Sequence, residues 1–372
     1  MDLGLHFIFP YFVNMEELYK YNHEDWPNFM FDESKVFRQL ALVMEAYGFI
    51  KGRFKDVNID ARNEVIITAL SDEVFANAEI EGQILNKEDI RNSVKKSFGY
   101  SHTKKKFISD NNVEVFADAI LHADEKLTHE SLYKWHKTYF PNGLSDGESI
   151  VAGEYTKERM QIRSGNKVIY IAPEVKMIRR EMNSFIAWFN TESSIHPFIK
   201  SAIAHLWYEI IHPFEDGNGR IGRNLVDKIL ANSFSDSIRT IGFSSYISRN
   251  KGEYYRQLEF NSKGNMDITS FILYFLGAIQ GAIELSNQKL DKLLKRDNFW
   301  KKYTQVKFNN RQIKVINKML EDDFEGGMNN RKWSRMTKCS FQTATRDIEY
   351  LIGLGILVKS SAGDRNKNFV LK

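Results

Sequence analysis

The sequence is poor in cysteine and proline. Its 372 residues include one cysteine, Cys339, and six prolines. A single thiol cannot form an intramolecular disulfide or a cysteine-based zinc site, which excludes disulfide-stapled secreted domains and zinc fingers. We therefore expect a reducing compartment and predict a cytoplasmic protein. No segment is low in complexity, which excludes collagen-like rods and long disordered tails.

Long apolar runs and a large net charge are also missing. Residues 271–285 are apolar, but Gln280 and Glu284 interrupt them, which favours a buried helix over a membrane span. Met1–Val13 is apolar and short, contains Asp2, and lacks the basic leader of a signal peptide. We accordingly expect no membrane partner. The formal net charge of +4 does not by itself indicate nucleic-acid binding.

The remaining composition is that of an ordinary globular protein, with 42% hydrophobic and 27% charged residues. Three regions differ in pattern, and we predict an N-terminal helical domain over 1–107, a central core over 108–300 and a C-terminal domain over 308–372. In the first region, apolar residues at helical spacing predict two helices. Their inward faces are Val36, Leu40, Val43 and Met44 in one helix and Val65, Ile66 and Leu70 in the other.

The central region combines helices with one β-hairpin. Met160–Ile162 and Val168–Ile171 flank Arg163-Ser164-Gly165-Asn166, in which glycine suits a tight turn. Helix starts are predicted from N-cap and proline signals and from four-residue apolar spacing. These helices begin at Thr128, after Pro173, near Ile199, at Arg220 and, capped by Asp267, ahead of an apolar stretch through Leu285.

The C-terminal region has the pattern of a winged helix-turn-helix, in which three short helices precede a hairpin. The predicted helices are Gln312–Met319, Arg331–Met336 and Ser340–Leu354, and the predicted strands Ile356–Val358 and Phe369–Leu371 bracket the turn Ala362-Gly363-Asp364.

The most informative part of the sequence is the string HPFEDGNGRIGR, from His212 to Arg223. It has the character of a loop that enters a helix. Gly217 and Gly219 free the backbone, so that successive amide N–H groups can converge on an anion. Such a nest at a helix N-terminus favours phosphates. Phe214 is expected to anchor the loop in the core.

The charged side chains of the string suit phosphoryl chemistry. Arg220 and Arg223 are three residues apart and can both contact phosphate oxygens. Asp216 offers a hard carboxylate oxygen for Mg²⁺. A neutral imidazole at His212 could take a proton from an attacking hydroxyl. Taken singly, a His-Pro or a Gly-Asn-Gly is usually only structural, but their combination within twelve residues indicates an active site.

The string resembles the Fic family signature, H-x-F-x-(D/E)-G-N-G-R-x-x-R, at every fixed position. Members of that family mostly transfer AMP from Mg·ATP to Ser, Thr or Tyr hydroxyls of proteins. The resemblance implies a mainly α fold: a Fic-type helical core with a β-hairpin flap, plus the C-terminal winged helix-turn-helix. It also implies roles for the site residues: His212 as the base, Asp216 as the Mg²⁺ ligand, Gly217, Asn218, Gly219 and Arg220 on the α- and β-phosphates, and Arg223 on the γ-phosphate.

Residues outside the string resemble the family as well. Gly153-Glu154-Tyr155 precedes the hairpin, which would act as the flap that aligns a target segment by strand addition. Tyr254 and Tyr255 stand where related proteins place aromatic residues near the nucleotide base, although paired tyrosines also occur in ordinary packing. Asn261 is a weaker candidate for the same pocket.

Residues 77–82, Asn-Ala-Glu-Ile-Glu-Gly, resemble the inhibitory motif (S/T)-x-x-x-E-(G/N) of Fic proteins. In such proteins the glutamate, here Glu81, pairs with the second arginine of the signature and displaces the γ-phosphate. Asn77 departs from the family's Ser or Thr, which bears on the strength of this inhibition. The alternative is that Glu81 is a surface carboxylate paired with any nearby cation.

The flanking regions also resemble a Fic subgroup. Trp26-Pro27-Asn28-Phe29 matches a recurrent Trp-Pro-x-Phe motif, in which Trp26 and Phe29 are expected to pack. Residues 308–372 hold 12 Lys or Arg against 7 Asp or Glu. Gln342, Thr343, Thr345 and Arg346 are expected to face outward on the third helix, where DNA is one expected partner. Winged helices also dock proteins, and the oligomeric state stays open, a homodimer included.

Three functions remain as hypotheses at this point. The first is a protein adenylyltransferase that uses Mg²⁺ and ATP and is inhibited by Glu81. The second is an ATP-sensing transcriptional regulator that binds DNA through the winged helix. The third is a Fic enzyme that removes AMP or uses another nucleotide. The target protein cannot be inferred from the sequence, and the other eight histidines show no metal-ligand spacing.

Overall fold

The computed structural model describes residues 19–55, 57–234, 236–320, 324, 327–360 and 368–372. Within these ranges the α-helices are α1 (Glu33–Lys55), α2 (Ile59–Ile80), α3 (Lys87–Ser97), α4 (Asp110–Leu121), α5 (His129–Tyr139), α6 (Val175–Thr191), α7 (Pro197–Ile211), α8 (Asn218–Ser233), α9 (Phe243–Ile247), α10 (Lys251–Asn261), α11 (Thr269–Lys302), α12 (Asn310–Met319), α13 (Asn330–Thr337) and α14 (Phe341–Gly353). The strands form three antiparallel pairs: β1 (Leu144–Ser145) with β2 (Glu148–Ser149), β3 (Gln161–Ser164) with β4 (Lys167–Ile171), and β5 (Leu357–Lys359) with β6 (Phe369–Leu371). The predicted mainly α class is confirmed.

Two compact units make up the chain. One comprises the described residues up to 55 together with 66–286, and the other comprises 57–65 together with those from 287 onward. Most residues of the helices that we assigned to an N-terminal domain therefore fall in the same unit as the central helices, whereas the first turns of α2 fall in the other unit. The division into three domains stays a prediction.

The core of the first unit surrounds α7, which is apolar on nearly every side and therefore almost entirely buried. Helix α8 packs against it, and α5 and α6 contribute Trp135 and Phe185 to the same core. Because α7 and α8 are consecutive, the short loop that joins them is fixed at both ends by buried helices. This loop, residues 212–217, contains the first half of the string from His212 to Arg223.

Helix α1 buries the predicted face except at one residue. Val36, Leu40 and Val43 are buried as predicted, and the stripe continues to Tyr47. Met44 is 37% exposed, so its assignment to the core was wrong. A stripe spaced at 36, 40, 43 and 47 follows the 3.6-residue period, and position 44 falls to its side.

Several predicted element boundaries are confirmed. Thr128 caps α5 in a capping box with Ser131. The β3–β4 hairpin turns at Gly165, whose φ is +57°. The Asp267 carboxylate accepts a 2.8 Å hydrogen bond from the Thr269 amide at the start of α11.

Helix α11 is long and apolar enough to cross a membrane by length and composition alone. However, 56% of its most apolar window is buried inside the structure, as in the core helix of a folded domain. Phe271, Phe275 and Ile279 are fully buried, which confirms the expected buried helix over 271–285.

The second unit has its own core, in which Trp333, Ile348 and Leu351 are buried. Three helices, α12 to α14, and the β5–β6 pair match the predicted elements, whereas the predicted turn 362–364 lies outside the described residues. On α14, Gln342 and Arg346 are exposed as predicted. Thr343 and Thr345 are only partly exposed, because their side chains bond to Ser340 and Asn330 respectively. The outward prediction is therefore met only in part by these two threonines.

Candidate active site

The loop between α7 and α8 has an unusual backbone at both ends. His212 follows α7 in the left-handed region, with φ +50°, and Gly217 precedes α8 with φ +77°. A Cβ at Gly217 would also lie 2.9 Å from the Phe140 ring. Glycine is therefore required at 217 for both conformation and space.

Two side chains of the string hold the loop closed. The Asn218 Oδ1 accepts from the Phe214 amide at 3.0 Å, and its Nδ2 donates to the Phe214 carbonyl at 2.7 Å. Phe214 is fully buried and stacks on the His136 ring at 4.2 Å, which confirms its predicted role as the anchor. Because its side chain is bonded to Phe214, Asn218 can offer only its backbone amide to an anion.

Gly219 lies within α8 and has helical backbone angles, so the expectation of an unusual conformation there was wrong. Its constraint is one of space. A Cβ at this position would overlap the Glu81 Oε1 atom and would lie 3.0 Å from Arg223 Nη1. The missing side chain makes room for a carboxylate beside a guanidinium.

A cavity of about 720 Å³ opens above this loop. The β3–β4 hairpin contributes Ile162, Arg163 and Lys167 to its wall. Nearly all of the predicted site residues meet there, namely Glu81, His212, Asp216, Gly217, Asn218, Gly219, Arg223, Tyr254 and Tyr255.

Arg220 does not line this cavity. Its side chain is 2% exposed, and the guanidinium lies 4.7 Å from the centres of both the Tyr139 and Phe140 rings. Its Nη2 is 3.9 Å from Asp216 Oδ2, while Nε and Nη1 have no hydrogen-bond acceptor in the described parts of the chain. Arg220 thus adds positive charge behind the loop.

Arg223 is the most heavily bonded residue of the site. Its Nη2 donates to Glu81 Oε1 at 2.6 Å and to the Asn77 carbonyl at 3.2 Å. Its Nε donates to Asn77 Oδ1 at 2.7 Å. Asn77 in turn donates from Nδ2 to Asn224 Oδ1 at 3.2 Å, so the end of α2 is fastened to α8. The predicted pairing of Glu81 with Arg223 is present in this geometry.

The charges of the site follow from burial. Burial lowers the pKa of His212 to about 4, against opposing effects of the Glu209 backbone carbonyl and of the Glu81 and Asp216 carboxylates. The imidazole is therefore neutral near pH 7 and can accept a proton. For Arg223, burial lowers the pKa, but Glu81, Tyr254 and Glu209 together outweigh it and the net pKa is raised, so this side chain stays charged.

Asp216 is the residue best placed to hold a metal. Its side chain is 41% exposed, its Oδ1 accepts from the Gly217 amide, and its Oδ2 accepts from the Ser145 hydroxyl. Among the described residues, no cluster of three or more His, Cys, Asp or Glu side chains could hold a metal alone. One carboxylate fits Mg²⁺ only when phosphate oxygens complete the ligand set, which is how this ion usually binds.

The two tyrosines differ in accessibility. Tyr254 is 1% exposed, and its hydroxyl lies 2.8 Å from His205 Nε2 and 3.5 Å from Arg223 Nη1. Tyr255 is 41% exposed and donates to the Ile80 carbonyl at 3.2 Å, so it offers the larger ring surface to a base. Asn261 bonds to Gln257 and Ser270 and does not line this cavity, so its assignment to the nucleotide pocket was wrong.

Sequence reasoning missed three residues of the site. His136 is fully buried; its Nδ1 accepts from the Gly153 amide and its Nε2 donates to the Asp216 carbonyl at 3.2 Å. Glu209 lines the cavity one helical turn before His212, a spacing that could have been noticed. Ser145, the partner of Asp216, had no signal in the sequence.

The part of the chain that contains this site is similar to known proteins. A Fic/DOC family model matches residues 126–230, and a domain of unknown function, DUF4172, matches residues 19–100. Protein adenylyltransferase Fic of Nematostella vectensis is 24% identical over 179 residues, which are 47% of this chain and 38% of that protein. Protein adenylyltransferase fic-1 of Caenorhabditis elegans is 31% identical over 145 residues, 38% of this chain and 26% of that protein. The matches thus span well under half of these relatives.

Solved structures show the same fold. A Fic family protein from Desulfovibrio desulfuricans G20 superposes with a TM-score of 0.50 at 19% identity, over 91% of this chain and 96% of that one. A Fic domain containing signaling protein from Bacteroides thetaiotaomicron VPI-5482 gives 0.52 at 18% identity, over 67% and 98%. The chain therefore carries a Fic/DOC-family domain over residues 126–230, preceded by a DUF4172 region.

Proposed function

We propose that the protein is an adenylyltransferase that moves AMP from Mg·ATP to a Ser, Thr or Tyr hydroxyl of a target protein. The observation that supports this most strongly is the meeting of His212, Asp216 and Arg223 around one cavity whose floor is the Gly217–Gly219 backbone. The curated relatives named above carry the name protein adenylyltransferase.

In the proposed reaction the target hydroxyl oxygen attacks the α-phosphorus of ATP. The new bond is a phosphodiester between the target and AMP, and the bond that breaks links the α-phosphorus to the bridging oxygen of the leaving pyrophosphate. His212 takes the hydroxyl proton, which its lowered pKa allows because the ring starts neutral.

The phosphates would be held by positive charge and by amide N–H groups. The N-terminus of α8 directs its free amides toward the loop, and Arg223 and Arg220 add two guanidinium charges near it. Bound Mg²⁺ would be held by Asp216 together with phosphate oxygens and would supply further charge neutralisation. Positioning and charge stabilisation account for most of the catalysis of phosphoryl transfer.

The target segment would pair with the β3–β4 hairpin. These two strands pair only with each other among the described strands, so each leaves an edge for another. The hairpin residues Ile162, Lys167 and Ile169 line the cavity. An extended segment added to this edge would bring its hydroxyl close to His212 through main-chain hydrogen bonds.

Glu81 would inhibit this reaction. Its carboxylate holds the Nη2 of Arg223 at 2.6 Å, the group proposed to bind the γ-phosphate. A carboxylate and a phosphate compete for the same donors of one guanidinium. Removal of Glu81 is therefore expected to free Arg223 for ATP.

The test is labelling of protein with α-labelled ATP and Mg²⁺. Wild type, Glu81→Gly, Glu81→Gly/His212→Ala and a matched control, Glu79→Gly, would be compared. Glu79 is exposed in the last turn of α2, two residues before Glu81, so its variant places a glycine next to the site without removing the carboxylate that pairs with Arg223. Label should rise in Glu81→Gly alone, should disappear with His212→Ala, and should not appear from γ-labelled ATP.

Other outcomes would point elsewhere. No label in any protein, with ATP binding intact, would contradict the transferase. If unlabelled UTP or GTP suppresses labelling more effectively than unlabelled ATP does, the natural substrate is another nucleotide. If the enzyme removes label from a target protein that already carries AMP, and transfers no AMP from ATP, the reaction is removal of AMP.

We propose DNA binding as a separate function of the second unit. The supporting observation is the exposure of Gln342 and Arg346 on α14, in a region where basic residues exceed acidic ones. Side chains of these types can contact base edges and phosphates.

A further inference from the structure

Glu209 lies beside the proposed base. It precedes His212 by three residues at the end of α7, and both line the same cavity. Its Oε2 atom is 3.9 Å from His212 Nδ1, and its side chain is 9% exposed. Neither His212 Nδ1 nor Glu209 Oε1 makes a hydrogen bond of regular geometry within the described residues, although the Glu209 backbone carbonyl also acts on the His212 ring. Two buried atoms without a regular hydrogen bond thus belong to one carboxylate–imidazole pair.

Gly222 makes room for this carboxylate. A Cβ at this position of α8 would lie 2.7 Å from Glu209 Oε1 and 3.2 Å from His205 Nδ1. Gly222 is not one of the fixed positions of the signature, and phosphate binding does not explain a glycine there. The residue at 222 must be small because the Glu209 carboxylate and the His205 ring occupy the space that a side chain would need.

A histidine that accepts a proton at Nε2 needs its other proton on Nδ1, and an acceptor beside Nδ1 favours that tautomer. A carboxylate in that place also stabilises the imidazolium that forms during proton transfer. We propose that Glu209 is a positioning residue for His212: its carboxylate accepts from Nδ1–H, keeps Nε2 free for the target hydroxyl, and stabilises the resulting imidazolium. This inference rests on the proposed transferase function.

The proposal implies a dependence on pH. The titratable and charged groups that face Glu209 come from several elements. They are His205 and Tyr208 of α7, His212 after it, Arg223 of α8, Glu81, Tyr254 and Tyr255 of α10, and Tyr170 of β4. Burial raises the pKa of Glu209 to about 8, Arg223 opposes this, and Glu81 adds to it. Below that pH the carboxyl group is protonated and neutral, so its carbonyl oxygen can still accept from Nδ1–H but no negative charge stabilises the imidazolium. The transfer rate should therefore rise with pH through an inflection near 8, and removal of Glu81 should move the inflection to lower pH.

The kinetic test is Glu209→Gln in the Glu81→Gly background, with Glu79→Gln as the control. Since glutamine is nearly isosteric with glutamate, the fold should be kept, which thermal unfolding checks. We expect kcat to fall on the order of 100-fold, the lower end of what a general base contributes. The KM for ATP should stay unchanged and the inflection should disappear, whereas Glu209→Asp should recover part of the rate and the inflection. An unchanged rate and pH profile would overturn the proposal.

A second measurement does not depend on transferase activity. The imidazole ¹⁵N shifts of His212, assigned with His212→Ala, should report the ionisation of Glu209 as a step at alkaline pH, because the two groups titrate as a pair. The step should vanish in Glu209→Gln, and its persistence would overturn the pairing. If the step vanishes but no variant transfers AMP, the pairing stands and the transferase proposal fails.

Discussion

The Arg223 guanidinium and the Glu81 carboxylate form a 2.6 Å ion pair inside the cavity, where 1% of the Arg223 side chain and 28% of the Glu81 side chain are exposed. Gly219 leaves the space that this carboxylate fills. The arginine is also held by Asn77 through its Nε and Nη2 atoms. The guanidinium is thus fixed in place whether or not Glu81 is present, and only one of its partners must leave for a phosphate to bind.

Removal of Glu81 should weaken the fold and tighten ATP binding together. The Glu81→Gly variant leaves a buried guanidinium with fewer partners, which should lower the melting temperature when no nucleotide is present. Mg·ATP should restore it, since a ligand that binds only the native state stabilises that state. A charge-assisted hydrogen bond contributes about 1.5–3 kcal/mol, so we expect the Kd for ATP to fall roughly 10- to 100-fold. Calorimetry and thermal unfolding, with Glu79→Gly as the matched control, would measure both.

If Glu81→Gly and Glu79→Gly bind ATP with the same affinity, the competition between Glu81 and phosphate is absent. A loss of stability that ATP does not reverse would mean that Glu81 serves the fold alone.

The Gly219→Ala substitution should be costly mainly when Glu81 is present. The added methyl group would overlap the Glu81 carboxylate, and overpacking at such a site costs about 1–3 kcal/mol. In the Glu81→Gly background this overlap is absent and only the 3.0 Å approach to Arg223 remains. A double-mutant cycle by urea unfolding should therefore give a coupling energy of about 1 kcal/mol or more.

Additivity of the two substitutions would contradict the arrangement. Gly252→Ala, on the exposed side of α10 with open space around its Cβ, is a suitable control because its cost should not depend on Glu81.

Elements with strong periodicity or turn signals could be predicted from the sequence. The β3–β4 hairpin and the capping by Thr128 and Asp267 depend on residues close in sequence, so local chemistry determined them. Met44 was assigned wrongly because helix periodicity predicts which side of a helix is buried, but not how wide the buried stripe is. The same limit applies to Thr343 and Thr345, which are only partly exposed. Thr343 bonds to Ser340, the N-cap of its own helix, and Thr345 accepts from Asn330 of α13.

In the candidate site, too, residues close in sequence could be predicted and residues from distant elements could not. The string from His212 to Arg223 is contiguous, so its convergence on one loop could be inferred. Arg220 points behind the loop and not into the cavity, because Tyr139 and Phe140 offer ring faces to its guanidinium. His136 and Ser145 come from distant parts of the sequence, and only the packing of α5 and the β1–β2 pair brings them to Asp216.

DNA binding by the second unit should depend on salt and on α14. The Arg346→Ala and Gln342→Ala substitutions should each weaken binding of the full chain to duplex DNA, by roughly 1–3 kcal/mol if the side chain contacts a base. The observed affinity should fall steeply with added salt, because binding releases counterions from phosphates. Fluorescence anisotropy at several salt concentrations would measure both. The Glu349→Gln substitution, at another exposed position of α14, tests whether any change in charge has the same effect. Equal binding by all three variants would exclude α14 as the contact.

Buried histidines should make the stability of the protein depend on acid. Burial lowers the pKa of His136 from 6.5 to about 4, and it lowers those of His205 and His212 to about 3 and 4. The unfolded chain therefore binds more protons than the native state between pH 6.5 and 4. Each histidine contributes stability that is fully present above 6.5 and is lost as the pH falls through this window. Glu209, whose pKa is raised to about 8, acts in the opposite sense, because its contribution is lost as the pH rises toward 8.

The contribution of one histidine is best isolated by substitution. His136→Gln removes a titrating group whose shift corresponds to roughly 3 kcal/mol, so the slope of unfolding free energy against pH should decrease by about 1.4 kcal/mol per pH unit between pH 6 and 5. Urea unfolding at several pH values would give both slopes. His122→Gln is the matched control, because His122 is exposed and no such buried state is lost on its removal. If the His136→Gln slope equals that of the wild type, His136 is protonated in the native state. In that case, its Nδ1 could not accept the hydrogen bond from Gly153 that supports the loop.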